Sequence, residues 1–473
     1  MRWSPSVLHP ELKEGQRFAV DTQPRPRQPI VDRAGDPLQS DTLLYVAGVY
    51  PNQLGGRAEE VVTKLAEVTG YAQDRLLSRV RSSPPEKFVQ LVTFGRSRYQ
   101  SLQSKLEAID GIKVEPQKQP VDPDAPRQLV GNVSALTPET EQKLGGPQRA
   151  GDSVGRNGLQ QAYQNYLTGS TETKVITLDL KTGRQVAELE GWPGRQNVSV
   201  KTTIDRATQA AAEQAVADTG TSALVAVQRD TGEILAVSTK GLHQERDALA
   251  GKFPAGTAFS IVAADALLKK GVSTKQKLAC PQERTVGGAK FVHAGQAAGV
   301  TTSATFQENF AKGCVTALAS LARRVTADDL QRSAKAFGVG QPWRLPLKSF
   351  SGTLPELSSD ADKAKAIAGQ NVEMSPLSMA LVAAAVGSGT WRPPVLVTDP
   401  KSPDPSAEAK PVVQPAPVPM DAKVRTALMT MMRAGAPARP PRRARAASTA
   451  SGRRRPTSRA GSSAGRATWP SRC

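Results

Sequence analysis

The stretch Phe253–Gly271, F-P-A-G-T-A-F-S-I-V-A-A-D-A-L-L-K-K-G, constrains this chain more than any other. Pro254 and Gly256 punctuate a sharp turn, and the residues behind them repeat their apolar positions at helical spacing. The segment therefore predicts a turn feeding a helix over 257–270. Thr257 opens that helix, and Ser260 follows three positions later on the same face. A hydroxyl there, with an amine one helical turn on, is the arrangement that activates a nucleophile. Here the second position is another hydroxyl, which is not a useful proton acceptor at neutral pH.

The rest of the chain organises itself on either side. Residues 1–45 are proline-rich and extended, and Pro26–Leu38 alternates about Ala34-Gly35 as a short hairpin would. From Arg57 to Ile109 the spacing is helical, with Val61, Leu65 and Val68 on one face and Leu102, Leu106 and Ile109 on another. Val175–Leu180 and Arg184–Leu189 predict a second hairpin about Lys181-Thr182-Gly183. Asp205 is placed to cap a helix burying Ala207, Ala211 and Ala215. Ser222–Gln228 and Glu233–Ser238 predict paired strands about Asp230-Thr231-Gly232. Helices are then expected at 257–270, 305–322, 328–337, 374–387 and 421–433. Two adjoining strands followed by many helices predict an α+β domain, a sheet packed on a helical cluster.

Composition matters mainly at one end. The formal net charge is +19, but Gly435–Cys473 alone holds ten arginines and no acidic residue. That tail has no Leu, Ile, Val, Phe, Tyr or Met, so it cannot supply a core-facing element. The switch falls inside the helix-like run M-T-M-M-R-A. It fits translation in a shifted reading frame of GC-rich DNA better than a basic disordered arm. With Trp469 as its only aromatic residue, the tail gives little ground for nucleic-acid binding. No run of eighteen apolar residues and no leader-like block occurs, so the chain as written is expected to stay in the cytoplasm.

The three cysteines, Cys280, Cys314 and Cys473, have no zinc spacing, and two buried free thiols are the expectation. Export would instead allow a Cys280–Cys314 bridge, worth about 3–4 kcal/mol. His9, His243 and His293 are too scattered for a metal site, and no cofactor motif is present. Gly151-Asp152-Ser153-Val154-Gly155 matches G-x-S-x-G, but without an apolar strand before it a loop is expected.

Several segments, in order, resemble class B penicillin-binding proteins, the monofunctional D,D-transpeptidases of peptidoglycan synthesis. Trp3–Pro10 resembles the opening of their non-catalytic region, and Pro29–Leu38 its arginine, aspartate and glycine hairpin. Gly155–Gly169 is similar to G-x-x-G-L-[EQ]-x-x-Y-x-x-x-L-x-G. Val200–Gln209 is similar to the T-I-D-x-x-x-Q entry to the transpeptidase domain, and Ser222–Ser238 to its first two sheet strands. Ala368–Ala380 resembles G-Q-x-x-x-x-[TS]-P-L-x-M-A. The resemblance spans residues 1–433.

That resemblance implies an α+β transpeptidase fold, an antiparallel sheet with a helical cluster but without its last strands, behind an elongated α+β dimerisation or pedestal domain. The expected division is 1–198 pedestal, 199–434 incomplete transpeptidase-like domain and 435–473 tail. The family's S-x-x-K falls on Thr257 and Ser260, and its S-x-N on Gly313 and Val315. Its K-T-G is expected just after Arg433, where the arginine-rich tail begins. Lys181–Gly183 spells K-T-G but precedes the nucleophile helix and is expected to be coincidence. Every motif position is thus substituted, and the resemblance implies an inactive, degenerate and truncated homologue of actinobacterial type. Intact relatives are membrane-anchored with extracytoplasmic domains. The implied ligands are peptidoglycan stem peptides and β-lactams, and the implied partners are cell-wall synthesis proteins. A non-catalytic scaffold is the alternative.

Overall fold

The computed structural model describes residues 4–23, 25–135, 153–242, 247–294, 299–401 and 413–435. Trp3, His243 and all but the first residue of the basic tail lie outside them. The chain forms two compact units that divide between Thr202 and Thr203, with the late strand Val397–Asp399 belonging to the first. Among the described residues no helix is long and apolar enough to cross a membrane.

In the first unit the strand Gln39–Val49 lies between Val89–Phe94 and Lys113–Pro123, antiparallel to both. Helices Ala58–Thr69, Gln73–Ser82 and Arg96–Glu107 cover this sheet. Val61, Leu65, Leu102, Leu106 and Ile109 are buried in one core, and Val68 packs against it. A second antiparallel sheet joins Gln16–Gln23, Glu172–Asp179 and Gln185–Trp192. The turn of its second hairpin is locked by Asp179, whose Oδ1 accepts from the backbone N–H groups of Lys181 and Thr182. Lys181–Gly183 is therefore a turn in the first unit, while Thr257 belongs to the second.

The hairpin at Ile30–Leu38 is built on Asp32, whose Oδ1 accepts from the N–H groups of Ala34, Gly35 and Asp36 at 2.8–2.9 Å. Such a carboxylate-centred turn needs the left-handed backbone that Gly35 supplies (φ +104°). Just before it, Arg27 is buried, and among the described residues no carboxylate pairs with it. Its guanidinium donates to Gln160 Oε1 at 2.7 Å, Gln164 Oε1 at 2.9 Å and the Gln160 carbonyl at 3.1 Å. Burial pushes the Arg27 pKa down to about 9, so it remains cationic at neutral pH. Ser153–Gly155 is a short strand paired with Val133–Ala135, which corrects the loop expected there. Ser153 opens this strand, not a strand-to-helix turn, and Gly151 and Asp152 lie outside the described residues.

In the second unit Asp205 caps the helix Arg206–Ala217 by accepting from the Thr208 N–H. The face buried is not the expected alanine stripe. Gln209, Ala212 and Val216 turn inward, while Ala207 and Ala211 are exposed and Ala215 is half-buried. Gln209 decides this rotation, because its amide bonds both the N–H and the carbonyl of Val237 in the neighbouring strand. Ser222–Val227 and Ile234–Lys240 pair antiparallel and, among the described residues, form a two-stranded sheet. The apolar strand Ser222–Val227 is half-exposed along its whole length. The helix Pro376–Ser388 packs on it, capped by Ser375 and ended by Gly389 at φ +87°.

Helix Ala327–Ala336 carries a full capping box between Thr326 and Asp329. Asp329 also pairs with Lys270 at 3.1 Å, tying this helix to the one that follows Thr257. The Thr326 N–H, helped by the Thr326 hydroxyl and Lys270, holds the Asp329 carboxyl well below the usual carboxylate range. Its folded pKa is depressed, so its stabilisation is present above the unfolded value near 3.8 and is lost as pH falls through the folded value. Asp329→Asn should therefore cost about 1–2 kcal/mol at neutral pH. In melts over a pH series, the gap to the parent chain should start to narrow as pH falls below the unfolded value and go on closing as the folded carboxyl protonates.

Candidate active site

Thr257 lies on a tight 3-10 turn, Gly256–Phe259, and Ser260 is the first residue of the helix Ser260–Lys269. The turn is held from outside. Ala255 N–H donates to the Val372 carbonyl at 2.8 Å and Gly256 N–H to the Gly369 carbonyl at 3.0 Å. Phe253–Pro254 pairs antiparallel with Glu373–Met374. A β-carbon at Gly369 would stand 1.7 Å from the Gly256 carbonyl oxygen, so only glycine permits this approach. The helix is fixed further along by buried Asp265, which accepts from Ser333 at 2.6 Å and from Lys269 at 2.7 Å.

The expected single helix over 305–322 is broken. Phe306–Ala311 ends, Gly313 takes φ +63°, and Cys314 caps a second short helix, Val315–Ala319. The left-handed glycine stops one helix, and the extended residue after it starts the next. This break presents Gly313 to Thr257. A β-carbon at 313 would sit 3.6 Å from Thr257 Cγ2 and 3.7 Å from Oγ1. Val315 is half-buried in the first turn of the second helix. Tertiary structure thus brings Thr257 and Gly313 together.

The chemistry that these positions could run is limited. Thr257 is exposed, whereas Ser260 is buried. Among the described residues no side chain hydrogen-bonds either hydroxyl. Lys252, five residues before Thr257, and Lys312, next to Gly313, are both exposed. Lys252 stacks its ammonium 5.3 Å from the centre of the Phe350 ring. Lys312 closes the helix Phe306–Ala311, its N–H donating to the Glu308 carbonyl. Neither is an amine held within hydrogen-bond reach of Thr257.

Cys280 and Cys314 form a disulfide across 34 positions, which corrects the expected pair of free thiols. It joins the strand Lys277–Pro281 to the residue after Gly313. Spacing hid it because the two segments meet through a strand pairing, Lys277–Pro281 with Thr301–Thr305. The double variant Cys280→Ser, Cys314→Ser should lose about 3–4 kcal/mol, by the loop-closure entropy restored to its unfolded state. A melting temperature within a degree of the parent chain would contradict this. The His293 ring lies beside both sulfurs.

Fold and site together define a transpeptidase-type protein with a pedestal unit. Residues 22–202 match the penicillin-binding protein dimerisation domain, and residues 222–439 match the penicillin-binding protein transpeptidase domain. The chain belongs to the class B penicillin-binding protein family.

Its likeness to individual members is distant. It is 24% identical to penicillin-binding protein 3 of Bacillus subtilis over 417 residues, covering 80% of this chain and 61% of that protein. It is 32% identical over 164 residues to the peptidoglycan D,D-transpeptidase PbpA of Mycobacterium tuberculosis, a match covering 33% of each. With the peptidoglycan D,D-transpeptidase FtsI of Escherichia coli it shares 21% identity over 421 residues, or 82% of this chain and 68% of that one. Among solved structures it resembles penicillin-binding protein 2 of Helicobacter pylori, determined in complex with MreC. The TM-score is 0.64 at 15% identity, covering 89% of this chain and 83% of that one.

Proposed function

We propose that this chain serves peptidoglycan synthesis as a penicillin-binding protein homologue that does not catalyse transpeptidation. The observation that carries the proposal is Ser260. At the position where the family holds the lysine that activates the nucleophile, this chain buries a hydroxyl. Gly313 and Val315 remove the polar side chains of the second motif, so nothing replaces the missing amine. The family's ligands are then candidates for binding without turnover, namely stem peptides ending in D-Ala-D-Ala.

A scaffolding role in the wall-synthesis machinery follows from the same reading. The first unit has its own sheets and a continuous core, which gives it a surface independent of Thr257. The Helicobacter pylori relative was solved bound to MreC, which supports a partner from that machinery. The Cys280–Cys314 bridge supports placing the second unit in an oxidising, extracytoplasmic compartment.

The deciding experiment incubates the purified chain with a D-Ala-D-Ala-terminated pentapeptide and an acceptor amine. The expected result is no release of D-alanine, alongside peptide binding measurable by calorimetry. Steady D-alanine release that disappears in Thr257→Ala would overturn the proposal.

A further inference from the structure

Three segments far apart in sequence converge on one point of the second unit. Cys280 is the last residue but one of the strand Lys277–Pro281. The hairpin Glu283–Val286 with Ala289–Val292 then doubles back in register, Glu283 opposite Val292. His293 thereby returns beside the same strand, its N–H donating to the Gln282 carbonyl at 2.8 Å. Cys314 arrives from the other side, after the Gly313 break. The two sulfurs and one imidazole nitrogen all lie within 4.8 Å of one another.

We propose that, in the thiol form that precedes the bridge, Cys280, His293 and Cys314 form a zinc site. Two thiolates and an imidazole are the donor set that favours zinc over magnesium or calcium, which prefer oxygen. Two deprotonated sulfurs also cancel the charge of the ion. The Cα atoms of the cysteines are 6.3 Å apart, so side-chain rotation alone can part the sulfurs around a metal. Both cysteines are buried and His293 is half-buried, and three protein donors leave the fourth place of a tetrahedral zinc for a water.

The site does not depend on the bridge to hold its shape. Thr316 Oγ1 donates to the Pro281 carbonyl at 2.7 Å, fixing the Cys314 helix to the Cys280 strand. Asn309 Nδ2 donates to the carbonyls of Leu278 and Ala304, joining the preceding helix to both strands. The Ala317 N–H points at Cys314 Sγ at 3.4 Å and favours its thiolate. Zinc binding releases two thiol protons to solvent. Bridge formation instead removes two electrons and two protons, which pass to a disulfide oxidant by exchange and leave that oxidant as its dithiol. The disulfide sulfurs carry no thiolate charge, so the two states exclude each other.

The test uses the full chain with Cys473→Ser, so that only this pair reports. A phosphine with one water opens the bridge, giving two thiols and the phosphine oxide. Cobalt(II) is then titrated in as an optical probe. The reduced chain is expected to take one equivalent with the intense visible bands of tetrahedral thiolate-bound cobalt, and zinc to erase them. The oxidised chain is expected to show none. His293→Ala, which forms the bridge normally and so folds before reduction, should bind cobalt at least about tenfold more weakly once reduced. Absence of the bands in the reduced chain overturns the proposal, whether or not its helical circular dichroism survives. Bands of equal strength in His293→Ala overturn the three-residue site as well.

Discussion

A fluorescent penicillin is expected to leave this protein unlabelled on a gel, and intact-mass analysis after incubation with ampicillin to show no adduct. Acylation needs a hydroxyl, a base that takes its proton, and donors for the oxyanion. The structure supplies the first at Thr257 and, among the described residues, no base hydrogen-bonded to it. Losing a positioned general base costs about 10²–10⁴ in rate, and losing one oxyanion donor about 10²–10³. Thr257→Ser with Ser260→Lys is expected to stay unlabelled as well, because Gly313 and Val315 offer the new amine no acceptor. That variant should also melt lower, by about 2–4 kcal/mol, since position 260 is only 4% exposed and an ammonium there is desolvated. Gly313→Ser adds strain of about 1–2 kcal/mol at φ +63°. A single covalent adduct mapped to Thr257 in the parent chain would refute the inactive reading.

The second large effect lies in the first unit. Arg27→Met is expected to destabilise that unit by about 3–5 kcal/mol, since it strips a charged donor from several buried oxygens at once. Gln160→Glu should act the other way. Gln160 Oε1 accepts from Arg27 while its buried Nε2 has no partner among the described residues, so the amide is half-satisfied as it stands. A carboxylate would accept from the same guanidinium and remove the orphaned donor, for a gain of about 1–3 kcal/mol. Arg27 would depress the folded pKa of that new carboxylate. The gain is therefore full above the unfolded value near 4.3 and is lost as pH falls through the folded one. Denaturant melts of the two variants at pH 7 and at low pH check both signs. A destabilised Gln160→Glu at neutral pH would show that desolvation outweighs the pairing.

Much of this was legible before any coordinates. The turn at Pro254 and Gly256, the Asp205 cap and the hairpins about Gly35, Gly183 and Gly232 all depend on residues within a few positions of each other. Short-range chemistry of that kind survives in almost any tertiary setting. The alanine stripe at Ala207, Ala211 and Ala215 misled because alanine is indifferent to burial. The rotation of that helix was chosen by a glutamine with a backbone partner 28 residues away. The helix expected over 305–322 misled for a related reason. Its apolar pattern runs on through Gly313, but the left-handed backbone there turns the second segment away.

The candidate site divides along the same line. Sequence alone determined that Ser260 stands three positions after Thr257 and that Gly313 and Val315 carry no polar side chain. Which side chains are present is a matter of composition, and no fold can restore an amine. Only the tertiary structure decided that Gly313 faces Thr257, that Gly369 supports the turn, and that Cys280, Cys314 and His293 share one pocket of space. Those meetings are made by strand pairings and a helix break linking segments dozens of residues apart. Their free energy comes from contacts that no local window contains.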